Sequence, residues 1–235
     1  MARLILPVLL LAQVLFAKNW EYHSLRTGHD QSPAGIWLRN SKDHKPFPVV
    51  VWLHGGMQGP RCDKGLEAGK ALLEWVQEKP MLVVSPSACG DHHWLSKEGL
   101  RHMEDLLDSL EKKYRIDPKR LHFVGVSDGG FGVMHYSLMG KRMVYSHILL
   151  STYVGAWIPQ AEIAGIASKV STGPWVFLQG GLDQNFPAKN TVPWMQEFRE
   201  RVPSVTIHWR DRGEHDLTWW TRNESALLRT VFKGL

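Results

Sequence analysis

The sequence has only two cysteines and no dense run of lysine and arginine. Neither cysteine belongs to a C-x-x-C pair, and the H-E-x-x-H spacing of many zinc enzymes is missing, so no metal site is predicted. The formal net charge is +5, but basic residues are spread among acidic ones along the chain, which is typical of a solvated surface. These absences argue against a metal-binding protein and against nucleic acid as a partner.

An internal repeat, a low-complexity tract and a long linker are also missing. Hydrophobic residues make up 43% of the 235 residues and charged residues 22%, which is the balance of a globular protein. We therefore expect one domain over residues 18–235, large enough for a sheet covered by helices on both faces.

The first 17 residues differ from the rest of the chain. A short basic start ending at Arg3 precedes an almost wholly apolar run at 4–16, and Ala17 then leads into a polar stretch. This pattern predicts a signal peptide at 1–17 that is cleaved after Ala17, and the run is too short to predict a stable membrane span. Leu15 is larger than the small residue preferred at its position, which leaves an uncleaved anchor open. We expect a secreted or periplasmic protein.

In an exported protein the two cysteines can be joined. Cys62 and Cys89 fall in loops that follow neighbouring predicted strands, and an oxidising compartment favours a disulfide between them. Sequence alone does not show whether their Cα atoms come within about 7 Å, as a disulfide requires. Both states of the pair remain open at this point.

Apolar runs of strand type recur along the chain, and most are followed by a helical pattern. The predicted strands are 49–53, 81–84, 121–126, 147–150, 175–178 and 205–209, with an antiparallel pair at 20–26 and 35–39. The predicted helices are 63–78, a segment after the N-cap Ser96, 129–141, 191–202 and 216–232. Apolar strands separated by helices predict a mostly parallel sheet in an α/β fold, with ligands beyond the carboxyl ends of the strands.

One of these strand ends carries a nucleophile motif. Residues 125–130 read GVSDGG, which is G-x-S-x-G between a strand and a helix. Such a turn exposes the serine hydroxyl and needs small residues on either side of it. We predict Ser127 as the nucleophile, with the backbone N–H of Asp128 at the helix N-terminus as one donor to the oxyanion.

A serine hydroxyl needs a base, and the base needs an orienting acid. In this type of fold the acid and then the histidine follow the serine along the chain. Asp183 lies in the loop after the strand at 175–178, and His215 lies in the loop after the last strand. We predict His215 as the base and Asp183 as the acid that fixes its tautomer. Asp216 is too close along the chain to serve and is predicted to cap the last helix.

A second oxyanion donor is expected after the first parallel strand. There, residues 54–57 read HGGM, which matches the H-G-G type of loop. The glycines allow backbone N–H groups to turn toward the substrate oxygen, and we predict Gly56 or Met57 as the donor. His54 itself is predicted to be structural.

These residues carry a resemblance to a known family. The segment 114–121, YRIDPKRL, runs into the serine turn as in the polyhydroxybutyrate-depolymerase-like and feruloyl-esterase-like branch of the α/β-hydrolases, and the likeness extends over about residues 47–220. The resemblance implies an α/β-hydrolase fold without a large lid domain and hydrolysis of a carboxylic ester through an acyl-enzyme, with no cofactor. Peptidase-like enzymes share much of this framework, so a peptidase or amidase on the same triad stays open, as does a non-catalytic binding protein.

The substrate side is less defined. Only about one helix fits between residues 154 and 175, so we expect an open site that suits an ester on a polar or polymeric carrier. Aromatic residues in loops at this edge could stack on sugar or aryl groups, and the predicted substrate contacts are Trp94, Tyr153, Trp157 and Phe186.

Overall fold

The computed structural model describes residues 20–26, 33–39, 45–56, 61–76, 79–90 and 92–235. The predicted signal peptide at 1–17 and the predicted oxyanion donor Met57 lie outside the described residues, and both stay predictions. None of the described helices is long and apolar enough to cross a membrane.

Eight strands form one sheet in the order β1-β2-β4-β3-β5-β6-β7-β8. The strands are β1 Glu21–Arg26, β2 Pro33–Arg39, β3 Phe47–Leu53, β4 Met81–Ser85, β5 Ile116–Val126, β6 Ser146–Leu150, β7 Trp175–Gly180 and β8 Val205–Arg210. β1 pairs with β2, and β2 with β4, in antiparallel fashion; all other pairs are parallel. The mostly parallel sheet and the leading antiparallel pair are confirmed.

The described helices lie mainly between these strands. They are α1 Gly65–Ala68, α2 Lys97–Lys113, α3 Asp128–Met139, α4 Ile163–Ile166, α5 Ala188–Arg201, α6 Leu217–Asn223 and α7 Ser225–Phe232. The two predicted caps are confirmed, since Ser96 Oγ accepts from Gly99 N at 2.9 Å and Asp216 Oδ1 accepts from Thr218 N at 2.9 Å. Between β6 and β7 the chain makes only 3₁₀ turns and the single turn of α4, so no lid domain covers this part of the sheet.

Three predicted boundaries are wrong. Of the helix predicted at 63–78, the described residues 63–76 form only α1 and a 3₁₀ turn, Gly69–Leu72, and Gly65 packs so closely on the sheet that a Cβ there would lie 2.4 Å from Ser85 O. The closing helix is two helices, since Glu224 leaves helical geometry at φ −126°. β5 begins before Pro118 rather than after it, because a register shift against β3 accommodates the proline.

The core lies on both faces of the sheet. Successive residues of a strand point to opposite faces of the sheet, and in the central strands both faces are buried. This explains why these strands are apolar at every position. One face packs against α2, α3 and α5, whereas the other packs against the segment that follows α1 and against α6 and α7. The sheet is therefore rigid where its carboxyl ends present loops.

Cys62 and Cys89 form a disulfide, with their Cα atoms 5.0 Å apart. The bond joins the loop after β3 to the loop after β4, which are neighbouring strands. It therefore fastens the segment that follows the H-G-G loop to the sheet edge where ligands bind in such folds.

We expect the Cys62→Ser/Cys89→Ser double variant to unfold at lower urea concentration than the wild type. The bond closes a loop over a sequence separation of 27 residues, and removing it should cost about 3–4 kcal/mol because the unfolded chain regains that freedom. Urea unfolding followed by tryptophan fluorescence measures the loss. Wild-type protein whose disulfide has been reduced should unfold at the same urea concentration as the double variant. Equal midpoints for oxidised wild type and the variant would contradict the disulfide between Cys62 and Cys89.

Candidate active site

Ser127 lies in a sharp turn between β5 and α3. Its backbone has φ 53° and ψ −122°, a conformation that a residue with a side chain rarely adopts. Glycines make the turn sterically possible: a Cβ on Gly129 would lie 2.0 Å from Leu53 O, and one on Gly125 would lie 2.4 Å from Gly129 O. The G-x-S-x-G spacing is thus explained by two close contacts, that of Gly129 with the neighbouring strand β3 and that of Gly125 with Gly129 across the turn.

Two hydrogen bonds hold this turn, one to the last residue of β6 and one from the segment that follows it. Ser127 N donates to Leu150 O at 2.9 Å, and Thr152 Oγ1 donates to Ser127 O at 2.9 Å. These bonds satisfy the backbone of the strained residue on both sides. Its hydroxyl is then fixed in direction relative to the sheet.

The three predicted triad residues come together at the carboxyl ends of β5, β7 and β8. Ser127 Oγ lies 2.9 Å from His215 Nε2, and His215 Nδ1 lies 2.9 Å from Asp183 Oδ2. Both distances are those of good hydrogen bonds. The histidine can therefore accept the serine proton at Nε2 while Nδ1 donates to the carboxylate, as general-base activation of serine requires.

Asp183 is only 2% exposed, and both of its carboxylate oxygens accept hydrogen bonds. Oδ1 accepts from Asn185 N and from Phe186 N, each at 2.9 Å, and Oδ2 also accepts from Gln179 Nε2 at 3.0 Å. Burial alone would raise the pKa of Asp183, but the hydrogen bond from His215 and those from Phe186 N–H and Gln179 hold that pKa below its ordinary value. The carboxyl group is therefore ionised at neutral pH and can stabilise a protonated His215.

Two residues that support this pair were not predicted. Gln179 lies near the end of the apolar strand β7, four residues before Asp183, and a polar side chain in that position was the available signal. Trp220 is fully buried, and its Nε1–H contacts Ser151 Oγ at 3.0 Å and Glu214 O at 3.1 Å. Because Glu214 precedes His215 directly, this indole fixes the histidine loop relative to β6.

Two of the predicted oxyanion donors, Asp128 and Gly56, belong to segments that border Ser127. Asp128 is the first residue of α3, and its N–H is at the positive end of a 12-residue helix. The H-G-G loop comes close to the serine, since a Cβ on Gly55 would lie 3.0 Å from Ser127 Cβ. Gly56 is the next residue of that loop. The donor roles of Asp128, Gly56 and Met57 stay predictions.

His54 and Trp94 are buried and hold the H-G-G loop by hydrogen bonds. Ala88 N donates to His54 Nε2 at 3.0 Å, so the proton is on Nδ1, which donates to Gly55 O at 2.9 Å. Burial lowers the pKa of His54 and keeps the ring neutral. The prediction that Trp94 contacts substrate is wrong: it is 3% exposed, packs in the core, and donates to His54 O at 2.9 Å.

The other three predicted substrate contacts are half-buried. The ring of Phe186 lies 5.3 Å from the ring of His215 and 6.4 Å from that of Tyr153, so Phe186 borders the histidine and Tyr153 packs against Phe186. Trp157 packs edge-on against His135 at 5.4 Å instead. Of the three, Phe186 is therefore the one in contact with a triad residue. Contact with substrate remains a prediction for all three.

The sheet order, the helices on both faces and the serine turn define an α/β-hydrolase fold. No protein-family model and no curated protein sequence matches the chain. Among solved structures, a ferulic acid esterase is similar at 19% identity and a TM-score of 0.65, covering 92% of this chain and 98% of its own. The fluorophosphonate-binding serine hydrolase F of Staphylococcus aureus is similar at 14% identity and a TM-score of 0.67, covering 91% and 98%.

An acylaminoacyl peptidase from Pyrococcus horikoshii has the same fold over part of its length. The identity is 14% and the TM-score 0.63, and the match covers 92% of this chain but only 41% of the peptidase. At these identities the likeness shows the fold of this chain, and the chemistry has to be argued from the site.

We expect Trp220→Phe to lower kcat/KM for any substrate of this site and to destabilise the fold by about 1–3 kcal/mol. The phenyl ring keeps only part of the packing, Glu214 O and Ser151 Oγ lose their buried donor, and the histidine loop loses its link to Ser151 after β6. Steady-state kinetics and urea unfolding measure the two effects. Trp219→Phe is the control for loss of one indole on the same helix, and an equal effect at both positions would contradict the role of Trp220.

Proposed function

We propose that the protein is a serine carboxylic-ester hydrolase that acts through an acyl-enzyme. The observation that carries the proposal is the continuous hydrogen-bonded chain from Ser127 Oγ through His215 to the buried carboxylate of Asp183. The α/β-hydrolase fold, shared with solved esterases, supports the same reaction class.

In the first half of the reaction, Ser127 Oγ attacks the carbonyl carbon of the ester while His215 Nε2 takes the hydroxyl proton. The carbonyl oxygen becomes an oxyanion, which backbone N–H groups of Asp128 and of Gly56 or Met57 stabilise. One such donor is typically worth about 3–4 kcal/mol to the transition state. The intermediate then collapses, His215 returns the proton to the alkoxy oxygen, and the alcohol leaves an acyl group on Ser127.

In the second half, water takes the place of the alcohol. His215 Nε2 removes a proton from the water, whose oxygen attacks the acyl carbon, and the second intermediate releases the carboxylic acid as the proton returns to Ser127 Oγ. Asp183 stays ionised throughout and offsets the positive charge on the imidazolium. Every step uses groups of this chain and water, so the proposal includes no cofactor.

An ester on a polar or polymeric carrier suits this site best. The chain between β6 and β7 forms no lid, and the His215 side chain is 24% exposed even though Asp183 is fully covered. A bulky carrier can therefore approach while the ester bond reaches Ser127. An exported enzyme with its signal peptide removed after Ala17 would meet such carriers outside the cell, and this location is part of the proposal.

We expect the protein from Lys18 onward to hydrolyse p-nitrophenyl esters in a panel that runs from acetate to octanoate. Ser127→Ala should lower kcat/KM by at least about 10³-fold, because the acyl-enzyme cannot form. Ser171→Ala, at an exposed serine before β7, is the control and should retain full activity.

Unchanged ester hydrolysis by Ser127→Ala would refute the assignment of the nucleophile. Matched anilides, measured beside the esters, separate the esterase from an amidase: faster cleavage of the anilide would favour the amidase. No turnover of either class by folded wild-type protein would favour a binding role.

A further inference from the structure

A cleft of about 690 Å³ opens beside the proposed nucleophile. It is lined by Gly55 of the H-G-G loop, by Val126, which precedes Ser127, and by Leu217, two residues after His215. The Cβ position of Gly55 is 3.0 Å from Ser127 Cβ. A substituent of an ester bound at Ser127 can therefore extend directly into this cleft.

The floor of the cleft is apolar. Trp52, Leu66, Ala68 and Ala71 line it together with Val126 and Leu217. These side chains favour a hydrocarbon chain or ring over a sugar, because burying hydroxyl groups there would leave them without partners.

The charged residues of the cleft lie at its edge and are not equivalent. Arg61 and Asp63 form a two-pronged ion pair at 3.0 and 3.2 Å and largely neutralise one another. Glu67 is exposed and acts on Tyr22, whose pKa is raised by burial and by this carboxylate. Neither the pair nor Glu67 gives the Ser127 end of the cleft a net charge.

Lys64 is different, because its ammonium reaches the catalytic end of the cleft. Its Nζ donates to Gly56 O at 2.7 Å, so the ammonium lies against the loop that also borders Ser127. An ammonium has three N–H donors. Lys64 can therefore bind an anionic group in the cleft and keep its bond to Gly56.

We infer that this cleft binds a substituent that is apolar along its length and carries a carboxylate, with Lys64 as the residue that recognises the anion. The inference rests on the proposed function and names the substrate class of that site: esters of which one part, acid or alcohol, bears a negative charge. A carboxylate that accepts from this ammonium forms a charge-assisted hydrogen bond, which is stronger than a hydrogen bond between neutral groups.

The experiment compares substrates that differ only in this charge. On the acyl side, the mono-p-nitrophenyl ester of adipic acid is compared with the p-nitrophenyl ester of its monoamide, adipamic acid; on the alcohol side, 4-carboxyphenyl acetate is compared with 4-carbamoylphenyl acetate. We expect the ratio of kcat/KM, anionic over neutral, to fall about ten-fold in Lys64→Met for the pair whose charge enters the cleft. High salt should lower the same ratio in the wild type.

Lys70→Met is the matched control, since Lys70 is exposed on the 3₁₀ turn and does not line the cleft; it should leave both ratios as in the wild type. Equal ratios in Lys64→Met and wild type for both pairs would overturn the inference. So would an equal loss on charged and neutral esters, because Lys64 would then act only by holding Gly56. Hydrolysis of none of the four esters would instead overturn the proposed function, and this inference with it.

Discussion

The backbone of Ser127 is the constraint on which the site depends. A non-glycine residue at positive φ costs about 1–3 kcal/mol and persists only where its surroundings enforce it. Here β3 leaves no room for a side chain at residue 129, and the backbone of Gly129 in turn leaves none at residue 125. Thr152 and Leu150 hold the turn from the other side. The cost is offset by a sheet buried on both faces, and the result is a hydroxyl that points away from the core.

The other parts of the site are fixed relative to that turn. Asp183 is held by donors from its own loop and from Gln179, and Trp220 links the loop before His215 to β6. On the opposite side, the disulfide and Lys64 fasten the segment after the H-G-G loop. Ser127 therefore lies between the His215–Asp183 pair on one side and the cleft on the other.

Local pattern was enough to predict the order of strands along the chain, the serine turn and the loops that carry Asp183 and His215, because each depends on short-range spacing. It was not enough for Trp94, since a loop tryptophan before a helix has the same local sequence whether it is exposed or packed under His54. Trp220 was missed because its contact with Ser151 joins residues that are far apart along the chain. Gln179 and Lys64 have partners nearby in sequence, but their contacts depend on how a loop folds back, which spacing alone does not show. The helix predicted at 63–78 was too long. Its glycines Gly65 and Gly69 pack closely against the sheet, which is a tertiary effect that local sequence does not show.

The central claim is that His215 activates Ser127 as a nucleophile. The most direct measurement is the rate of covalent labelling by a fluorophosphonate, with the modified residue located by peptide mass spectrometry, in wild type and in His215→Ala. The account predicts a single adduct, on Ser127, whose formation slows by at least about 10³-fold when the histidine is removed. An adduct on another residue, or equal labelling rates in the two proteins, would contradict it.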